Sequence, residues 1–232
     1  MIPVLATPVL DRYDLLANME KSVDVDVERY YIVDNGGRYG GESSLFADVV
    51  HVCRPGANLG FSASINLAIK ANLMAPWWLF VNDDIVFGPG DLKAMEDQMW
   101  ASKDKPLIAT MQTCAFAAFA INDAALELTG WFDENYHPAY CEDCDISWRA
   151  TRKGVKFVDI PGATRHLGSQ TIGGNRKRRD ENNRTYPINV KYHREKWGGA
   201  PRQEVYETPY NQGGDSFLTT APRLSRLREL VW

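Results

Sequence analysis

The sequence has no hydrophobic run long enough to cross a membrane. The longest such run, Cys114 to Ile121, has eight residues, whereas a membrane-spanning helix needs about 20 apolar residues. The first residues, Met1 to Leu5, also lack the basic segment and apolar core of a secretory signal. We therefore expect a cytoplasmic protein that works in solution or at a membrane surface.

Cysteine is scarce, which limits metal and redox chemistry. The chain has four cysteines, and Cys141 and Cys144 form a single C-x-x-C pair. A structural zinc site needs four ligands, and no second pair of this kind is present. The pair also does not follow the first strand of a thioredoxin-like unit. Packing is the favoured role for both sulfurs, with zinc or redox chemistry as a minor alternative.

Three common site motifs are missing. No G-x-G-x-x-G follows the first predicted strand, and the chain contains no G-x-x-x-x-G-K-[ST]. The phosphate cradles of dinucleotide-binding folds and P-loop proteins are therefore missing. A G-x-S-x-G turn is lacking too, which argues against a serine hydrolase of the α/β type.

The first half of the chain alternates short apolar runs with amphipathic stretches. This alternation is typical of an α/β protein with a parallel sheet. We predict strands at residues 2–6, 30–33, 48–53, 77–81, 107–110 and 113–121, and helices at 11–22, 61–73 and 88–100. With 44% hydrophobic residues, the chain has enough apolar material for a core.

The second half is less regular and contains most of the basic charge. We predict a short helix capped by Asn122, a helix from Glu142 to Lys153 that Gly154 ends, and a strand from Phe157 to Ile160. Residues 165–202 hold ten Lys or Arg against three acids, so they carry +7 and the remainder carries −11. Such a stretch indicates an anionic partner, or alternatively a solvated helix face.

Polar residues follow each of the first four strands. They are Thr7-Pro8, Asp34-Asn35, Arg54 and Asn82-Asp83-Asp84. The carboxyl ends of parallel strands meet at one edge of a sheet, where ligands bind. Magnesium-type cations are commonly shared between one or two carboxylates and substrate phosphates. The last group therefore predicts a metal that holds a phosphorylated substrate, although Asn and Asp are also ordinary turn residues.

A second acidic cluster begins the helix that follows Cys141. Glu142, Asp143 and Asp145 lie in its first turn, where the helix macrodipole stabilises negative charge by about 0.3–1 kcal/mol. Acids are common at helix starts for this reason alone. An ionised carboxylate there is nevertheless able to accept a proton, as a general base must.

Several motifs occur in an order that matches a known family. They are Asp34-Asn35-Gly36, Asn58-Leu59-Gly60-Phe61, Asn82-Asp83-Asp84, Gly130-Trp131-Phe132-Asp133-Glu134, Glu142-Asp143-x-Asp145-x-x-x-Arg149, Lys153-Gly154 and His166. Over roughly residues 2–170 this set resembles the GT-A-fold glycosyltransferases of family 2, including the rhamnosyltransferase-like members. The resemblance implies a Rossmann-like α/β fold, with a mostly parallel sheet flanked by helices.

The resemblance also implies a domain organisation. Residues 1–170 would form the catalytic domain, with a nucleotide-binding half of about residues 1–110 and an acceptor half of about residues 111–170. Residues 171–232 would form a basic, helical or irregular extension that packs on or covers the active site. Within it, Ser169 through Arg179 would fold over the donor diphosphate.

The resemblance assigns roles to individual residues. Asp34 would contact a uracil or thymine base, and Thr7, Pro8, Asn58, Gly60, Asn82 and Asp83 would complete the donor site. Asn82-x-Asp84 would be the D-x-D motif, from which Asn82 departs. Asp84 and His166 would bind Mn²⁺ or Mg²⁺. Asp143 would be the catalytic base, with Glu142 beside it positioning the acceptor.

The implied reaction is inverting transfer of a sugar from a UDP- or TDP-sugar to an acceptor hydroxyl. The acceptor stays open between a glycan, a lipid-linked sugar, a protein side chain and a modified nucleic-acid base. One alternative is a sugar-phosphate nucleotidyltransferase, although Thr7 to Arg12 lacks the glycine-rich, arginine-containing loop expected there. The other alternative is an inactive protein that keeps the fold and binds a ligand.

Overall fold

A seven-stranded sheet forms the centre of the computed structural model, which describes residues 1–168, 175–212 and 227–228. The strands of the structure are β1 (Ile2–Val9), β2 (Val27–Asp34), β3 (Ala47–Cys53), β4 (Trp77–Val81), β5 (Ile85–Val86), β6 (Leu107–Met111), β7 (Ala115–Asn122), β8 (Lys156–Ile160) and β9 (Arg165–His166). The large sheet has the order β3-β2-β1-β4-β7-β6-β8, and β5 pairs with β9 in a separate ribbon.

All strands of the large sheet run in one direction except β7. This strand pairs antiparallel with both β4 and β6, while β1 to β4 pair in parallel. The reversal follows from connection length, because only Gln112 to Cys114 separate β6 from β7. A short connection can join only antiparallel neighbours, whereas parallel pairing needs a crossover. The prediction of a mostly parallel α/β sheet is confirmed.

Helices pack on both faces of this sheet. They are α1 (Tyr13–Lys21), α2 (Gly60–Ala71), α3 (Asp91–Ala101), α4 (Asp123–Thr129), α5 (Glu142–Arg152) and α6 (Arg176–Trp197), followed by a 3₁₀ turn at Pro209–Asn211. Leu16 of α1 and Met95 of α3 belong to the core on one face, and Ile65 of α2 and Ile146 of α5 to the core on the other. Both faces are therefore buried, which explains the unbroken apolar sequence of β4.

The β5–β9 ribbon brings two distant segments together beside the end of β4. Ile85 pairs with His166, and the Leu167 amide donates a hydrogen bond of 2.9 Å to the carbonyl of Asp84. The loop before β9 is fixed by Asp91, whose Oδ2 accepts hydrogen bonds from the Thr164 amide at 2.7 Å and hydroxyl at 2.6 Å. The position of β9, and hence of His166, is set by these contacts.

Helix α6 is long, but its surface is polar. Within the described ranges, no helix has the length and apolar character that crossing a membrane requires. The buried side chains of α6 include Asn189, His193, Lys196 and Trp197. The buried contacts of α6 with the rest of the structure therefore include polar groups as well as one tryptophan.

Candidate active site

A cleft lies at the carboxyl ends of the central strands. One side is lined by residues at the strand ends and the start of α2: Pro8, Val9 and Leu10 at the end of β1, Asn35 after β2, Asn58, Gly60 and Phe61, and Asn82 and Asp83 after β4. The other side is lined by Pro138 and Ala139 and by three residues of α6, Arg178, Glu181 and Asn182. Five of the residues predicted for the donor site line this cleft, namely Pro8, Asn58, Gly60, Asn82 and Asp83. The sheet edge thus forms the concave site that parallel strands are known to provide.

Asp34 lies next to the cleft and orders the loop that follows β2. It is fully buried, and its Oδ1 accepts hydrogen bonds from the Tyr13 hydroxyl at 2.7 Å and the Gly37 amide at 2.9 Å. Its Oδ2 accepts from the Tyr39 amide at 2.9 Å and lies 3.4 Å from Nε of Arg54. Burial alone would raise the pKa of Asp34, but the hydrogen bonds from Tyr13 and backbone amides outweigh it and lower the pKa.

Asn35 and Asn58 fix the wall made by the start of α2. The Asn35 side chain donates to Ser64 Oγ at 3.0 Å and accepts from the Leu59 amide at 2.9 Å. Asn58 Oδ1 accepts from the Gly60 amide at 3.0 Å. Gly60 has a φ of 76°, and a Cβ there would lie 2.6 Å from the Pro138 carbonyl oxygen. Glycine is therefore required where the two cleft walls approach each other.

Asp84 and His166 meet beside the cleft, as the resemblance implies for a metal site. Nε2 of His166 lies 3.1 Å from Oδ1 of Asp84, and Asp84 is buried. The same nitrogen is buried and has no aligned hydrogen-bond partner in the described part of the chain. The Asp84 carboxylate raises the pKa of His166. A cation bound between them would displace the proton and satisfy the ring nitrogen.

The pair fits a metal ion whose remaining ligands come from a substrate and from water. Within residues 1–168, 175–212 and 227–228, no group of three or more His, Cys, Asp or Glu side chains could hold a metal ion. Asp84 and His166 would supply two ligands. Mg²⁺-type ions are usually bound in this way, with substrate phosphates and water completing the coordination.

The start of α5 lies just beyond the opposite wall of the cleft. Ala139 lines the cleft, and Tyr140 and Cys141 then adopt φ values of 77° and 75° before the helix begins at Glu142. Positive φ is costly for residues other than glycine and tends to occur at functional sites. Asp143, the next residue, is half-buried. The two predicted catalytic acids thus lie at the border of the cleft and are not among its lining residues.

Glu142 is a buried carboxyl group next to a second acid. Its Oε2 is buried and has no hydrogen-bond partner in the ranges that the structure describes. Burial raises the pKa of Glu142 to about 8, and the neighbouring Asp143 contributes to the increase. Glu142 is therefore mostly protonated at neutral pH and can donate a hydrogen bond there.

The C-x-x-C pair has the properties of packing residues. Cys141 and Cys144 are free thiols rather than a disulfide. Burial raises the pKa of each thiol to about 12, which keeps them protonated, whereas reaction and metal ligation require the thiolate. This agrees with the predicted role in packing.

Helix α5 is tied to the end of α6 by a buried ionic cluster. Asp145 Oδ1 accepts hydrogen bonds from Lys196 Nζ at 2.5 Å and Trp197 Nε1 at 2.8 Å, and Oδ2 accepts from Arg149 Nε at 2.9 Å. Lys196 Nζ also donates to Asp133 at 2.7 Å. Burial alone would raise the pKa of Asp145, but Arg149 and Lys196 hold it far below its usual range.

Thr7 is placed differently from the other predicted donor residues. It is fully buried in the sheet, and its hydroxyl is close to that of Tyr30 in the core. The cleft wall after β1 begins one residue later, at Pro8. The side chains of a strand alternate between faces, so Thr7 lies on the same face as Leu5 and Val9, which belong to the core that also contains Leu16 and Met95. The donor contact of Thr7 stays a prediction.

The cleft also contains residues that the motifs did not indicate. Pro138 and Ala139 form one wall, and Arg178, Glu181 and Asn182 form a cover above it. The sequence signals for the cover were the net basic charge of residues 165–202 and the extension expected over the active site. Of the segment from Ser169 to Arg179 that was predicted to fold over the diphosphate, residues 169–174 lie outside the described residues, and Arg178 lines the cleft.

Comparisons with known proteins relate part of this chain to a glycosyltransferase. No protein-family model matches the sequence. An alignment of 98 residues gives 34% identity to a galactofuranosyl glycosyltransferase from Leishmania donovani, covering 35% of this chain and 23% of that protein. Part of this chain is thus homologous to a glycosyltransferase.

The solved structures point to the same fold. The crystal structure of S. aureus TarS superposes with a TM-score of 0.54 at 14% sequence identity, over 73% of this chain and 37% of that chain. The complex of TarS 1-349 with UDP gives a TM-score of 0.47, also at 14% identity, over 66% of this chain and 55% of that one. The chain therefore spans well under half of the length of the Leishmania relative and of the TarS chain that superposes with a TM-score of 0.54.

Proposed function

We propose that the protein is a glycosyltransferase that uses a nucleotide-diphosphate sugar. The observation that carries this proposal is one cleft with the Asp84–His166 pair on one side and the acids that begin α5 on the other. The partial homology with a galactofuranosyl glycosyltransferase supports transfer of a sugar. The TarS likeness supports the fold on which such a cleft is built.

The donor would lie along the sheet edge. Asn58, Gly60, Asn82 and Asp83 line the cleft and would contact the nucleotide sugar, which is UDP- or TDP-linked in this proposal. Asp34 would read the base. Its Oδ1 already accepts two hydrogen bonds, so a pyrimidine N–H would bind Oδ2, which accepts one from the Tyr39 amide.

Asp84 and His166 would hold Mn²⁺ or Mg²⁺ against the donor diphosphate. When bound, such an ion neutralises charge that develops on the leaving group. Asn82, where the motif departs from D-x-D, lies in the cleft wall next to Asp83 and would face the donor. In this arrangement only one carboxylate of the tripeptide is a direct ligand.

Asp143 would act as the base in an inverting transfer. The acceptor oxygen forms a bond to the anomeric carbon while the bond from that carbon to the diphosphate oxygen breaks. The proton of the acceptor hydroxyl passes to Asp143, and the electron pair of the broken bond leaves with the diphosphate. Glu142, protonated at neutral pH, would donate a hydrogen bond that positions the acceptor.

Residues 171–232 would form an extension that covers this cleft. Helix α6 supports that role, because Arg178, Glu181 and Asn182 face the strand ends. The acceptor is a sugar, lipid-linked sugar, protein or modified base that reaches the α5 side of the cleft.

A thermal-shift panel of nucleotide sugars, with and without Mn²⁺, tests the function. We expect a UDP- or TDP-sugar to raise the melting temperature, and Mn²⁺ to increase that shift. Ligand at 100 times its dissociation constant stabilises a protein by about 2.7 kcal/mol, which such an assay detects. Absence of any shift would contradict the proposal. Pyrophosphate release from UTP and a sugar phosphate would instead identify a nucleotidyltransferase.

Asp84→Ala should remove the metal-dependent part of UDP binding. Loss of a carboxylate from a two-ligand site leaves one protein ligand, and disturbing even outer groups of a metal site costs about 10–100-fold in affinity. Calorimetry of UDP with and without Mn²⁺ measures the effect. The matched control is Asp97→Ala, which removes an acid whose side chain is 65% exposed. UDP affinity that still rises with Mn²⁺ in Asp84→Ala would exclude Asp84 as a ligand.

A further inference from the structure

Arg178 lies in the cover of the cleft with its guanidinium between two acids. Its Nε is 3.4 Å from Oδ2 of Asp11, and one terminal nitrogen is 3.1 Å from Oε2 of Glu181. The side chain is 22% exposed. It therefore reaches from α6 across to the loop that follows β1, instead of extending into solvent as Arg176, 91% exposed, does.

The contact between Arg178 and Asp11 joins the two sides of the cleft. Asp11 follows Leu10, which lines the floor, and Arg178 belongs to the cover. The 3.4 Å separation is longer than a typical charged N–H···O bond of 2.7–2.9 Å. Asp11 Oδ1 is buried without a hydrogen-bond partner in the ranges described. The distance in this ion pair is therefore long, and one oxygen of Asp11 is left without a hydrogen bond. An anion that binds the guanidinium at a shorter distance could replace Asp11.

The charges of the cleft call for a cation at this position. Of the lining residues within the described part of the chain, Asp83 and Glu181 are acidic and Arg178 alone carries a positive charge. A nucleoside diphosphate brings further negative charge into this acidic surrounding. Arginine presents a planar set of donors that matches two phosphate oxygens at once.

We propose that Arg178 is a further donor-binding residue, which exchanges Asp11 for the diphosphate of the nucleotide sugar. The inference rests on the proposed function, because it assumes a nucleoside diphosphate in this cleft. It makes Asp11 a competitor of the ligand. Removing the arginine should therefore weaken diphosphate binding, whereas removing the charge of Asp11 should strengthen it.

Calorimetry with UDP and with uridine separates this role from a general effect on the cleft. For Arg178→Gln we expect UDP affinity to fall by about 10-fold or more, as for loss of a hydrogen bond to a charged group. Uridine affinity should stay within about twofold, since uridine has no phosphate. Asp11→Asn should bind UDP a few-fold more tightly than wild type, because it frees Arg178.

Arg184→Gln is the matched control, since it removes the same charge from the same helix at an exposed position that lies outside the segment predicted to fold over the diphosphate. Its UDP affinity should equal that of wild type at moderate salt. Circular dichroism of each variant verifies that α6 is intact. Arg178→Lys, which keeps the charge but not the planar set of donors, should fall between wild type and Arg178→Gln.

Two results would overturn the inference. Equal losses of uridine and UDP affinity in Arg178→Gln would mean that the residue shapes the nucleoside pocket instead. Weaker UDP binding in Asp11→Asn would exclude competition between Asp11 and phosphate. Failure of the wild-type protein to bind UDP or TDP at all would instead remove the proposed function, which these two results leave intact.

Discussion

Asp143→Asn should lower sugar transfer by about 10²–10⁴-fold, the contribution typical of a general base. The asparagine keeps the size of the side chain at the start of α5 but cannot accept the proton of the acceptor hydroxyl. UDP binding should remain within about twofold, because Asp143 is not among the residues that line the donor cleft. Single-turnover transfer and calorimetry of UDP measure the two quantities. Transfer at the wild-type rate would exclude Asp143 as the base.

Glu142→Gln is the matched control because it changes the adjacent acid in the same way. Glutamine resembles the protonated glutamic acid that is present at neutral pH, so this variant should lose much less transfer activity at pH 7 than Asp143→Asn. The wild-type rate should fall as pH rises through about 8, since ionised Glu142 can no longer donate the hydrogen bond that positions the acceptor. Glu142→Gln should lack this alkaline decline. A decline that persists in Glu142→Gln would assign it to another group.

The sequence predicted the parts of the fold in which local pattern and environment agree. The apolar run Trp77–Val81 was predicted as a strand, and β4 has these bounds because both of its faces are buried. The helix from Glu142 to Lys153 was predicted with Gly154 as its terminal signal, and α5 spans Glu142–Arg152. In both cases the local sequence indicates where the element begins or ends.

Pairing across long distances could not be predicted from local patterns. β9 has two residues, too few to show alternation, and it exists because it pairs with β5 and because Asp91 holds Thr164. The reversed direction of β7 likewise depends on its partners. The motifs suggested that His166 lies near Asp84. The pairing of β5 with β9 explains how two residues 82 positions apart in the sequence come together.

Some residues of the candidate site could be predicted from the sequence and others could not. Pro8, Asn58 and Asn82 were predicted and line the cleft, because loops after strands are ordered along one edge of a parallel sheet. Thr7 could not be separated from Pro8 by sequence, since a polar residue at a strand end can face either the core or the ligand. Arg178 belongs to a basic segment that was predicted to fold over the diphosphate, but the sequence could not separate it from its basic neighbours, because such a stretch can equally be a solvated helix face.

Asp145→Asn should lower the free energy of unfolding by about 3–5 kcal/mol, the cost of breaking a buried ion pair from one side. Asp145 is fully buried, and Lys196 and Arg149 would lose the carboxylate that compensates their charges. Urea denaturation at pH 7 measures the change. The matched control is Asp180→Asn in the same pair of helices, where the acid is 65% exposed and its loss should cost under about 0.5 kcal/mol.

The pH dependence of unfolding is a second test of the stabilising role of the Asp145 carboxylate. The folded pKa of Asp145 lies below the unfolded value, so its ionised form stabilises the folded state at neutral pH. That contribution is lost as pH falls from the unfolded pKa of about 3.9 toward the lower folded pKa. Wild type should therefore lose more stability than Asp145→Asn over this acid range, and the two should converge. Parallel curves would mean that Asp145 does not hold α5 to α6 by its charge.

Joining α5 to α6 also has a consequence for the site. Asp145 lies two residues after the proposed base, and Lys196 lies in the last turn of the helix whose start covers the cleft. Lys196→Met should therefore destabilise the fold and lower transfer together, whereas Asp145→Asn combined with Lys196→Met should cost less than the sum of the single changes. A double-mutant cycle on unfolding free energy measures this coupling. Additive effects would show that the two charges stabilise the helices independently.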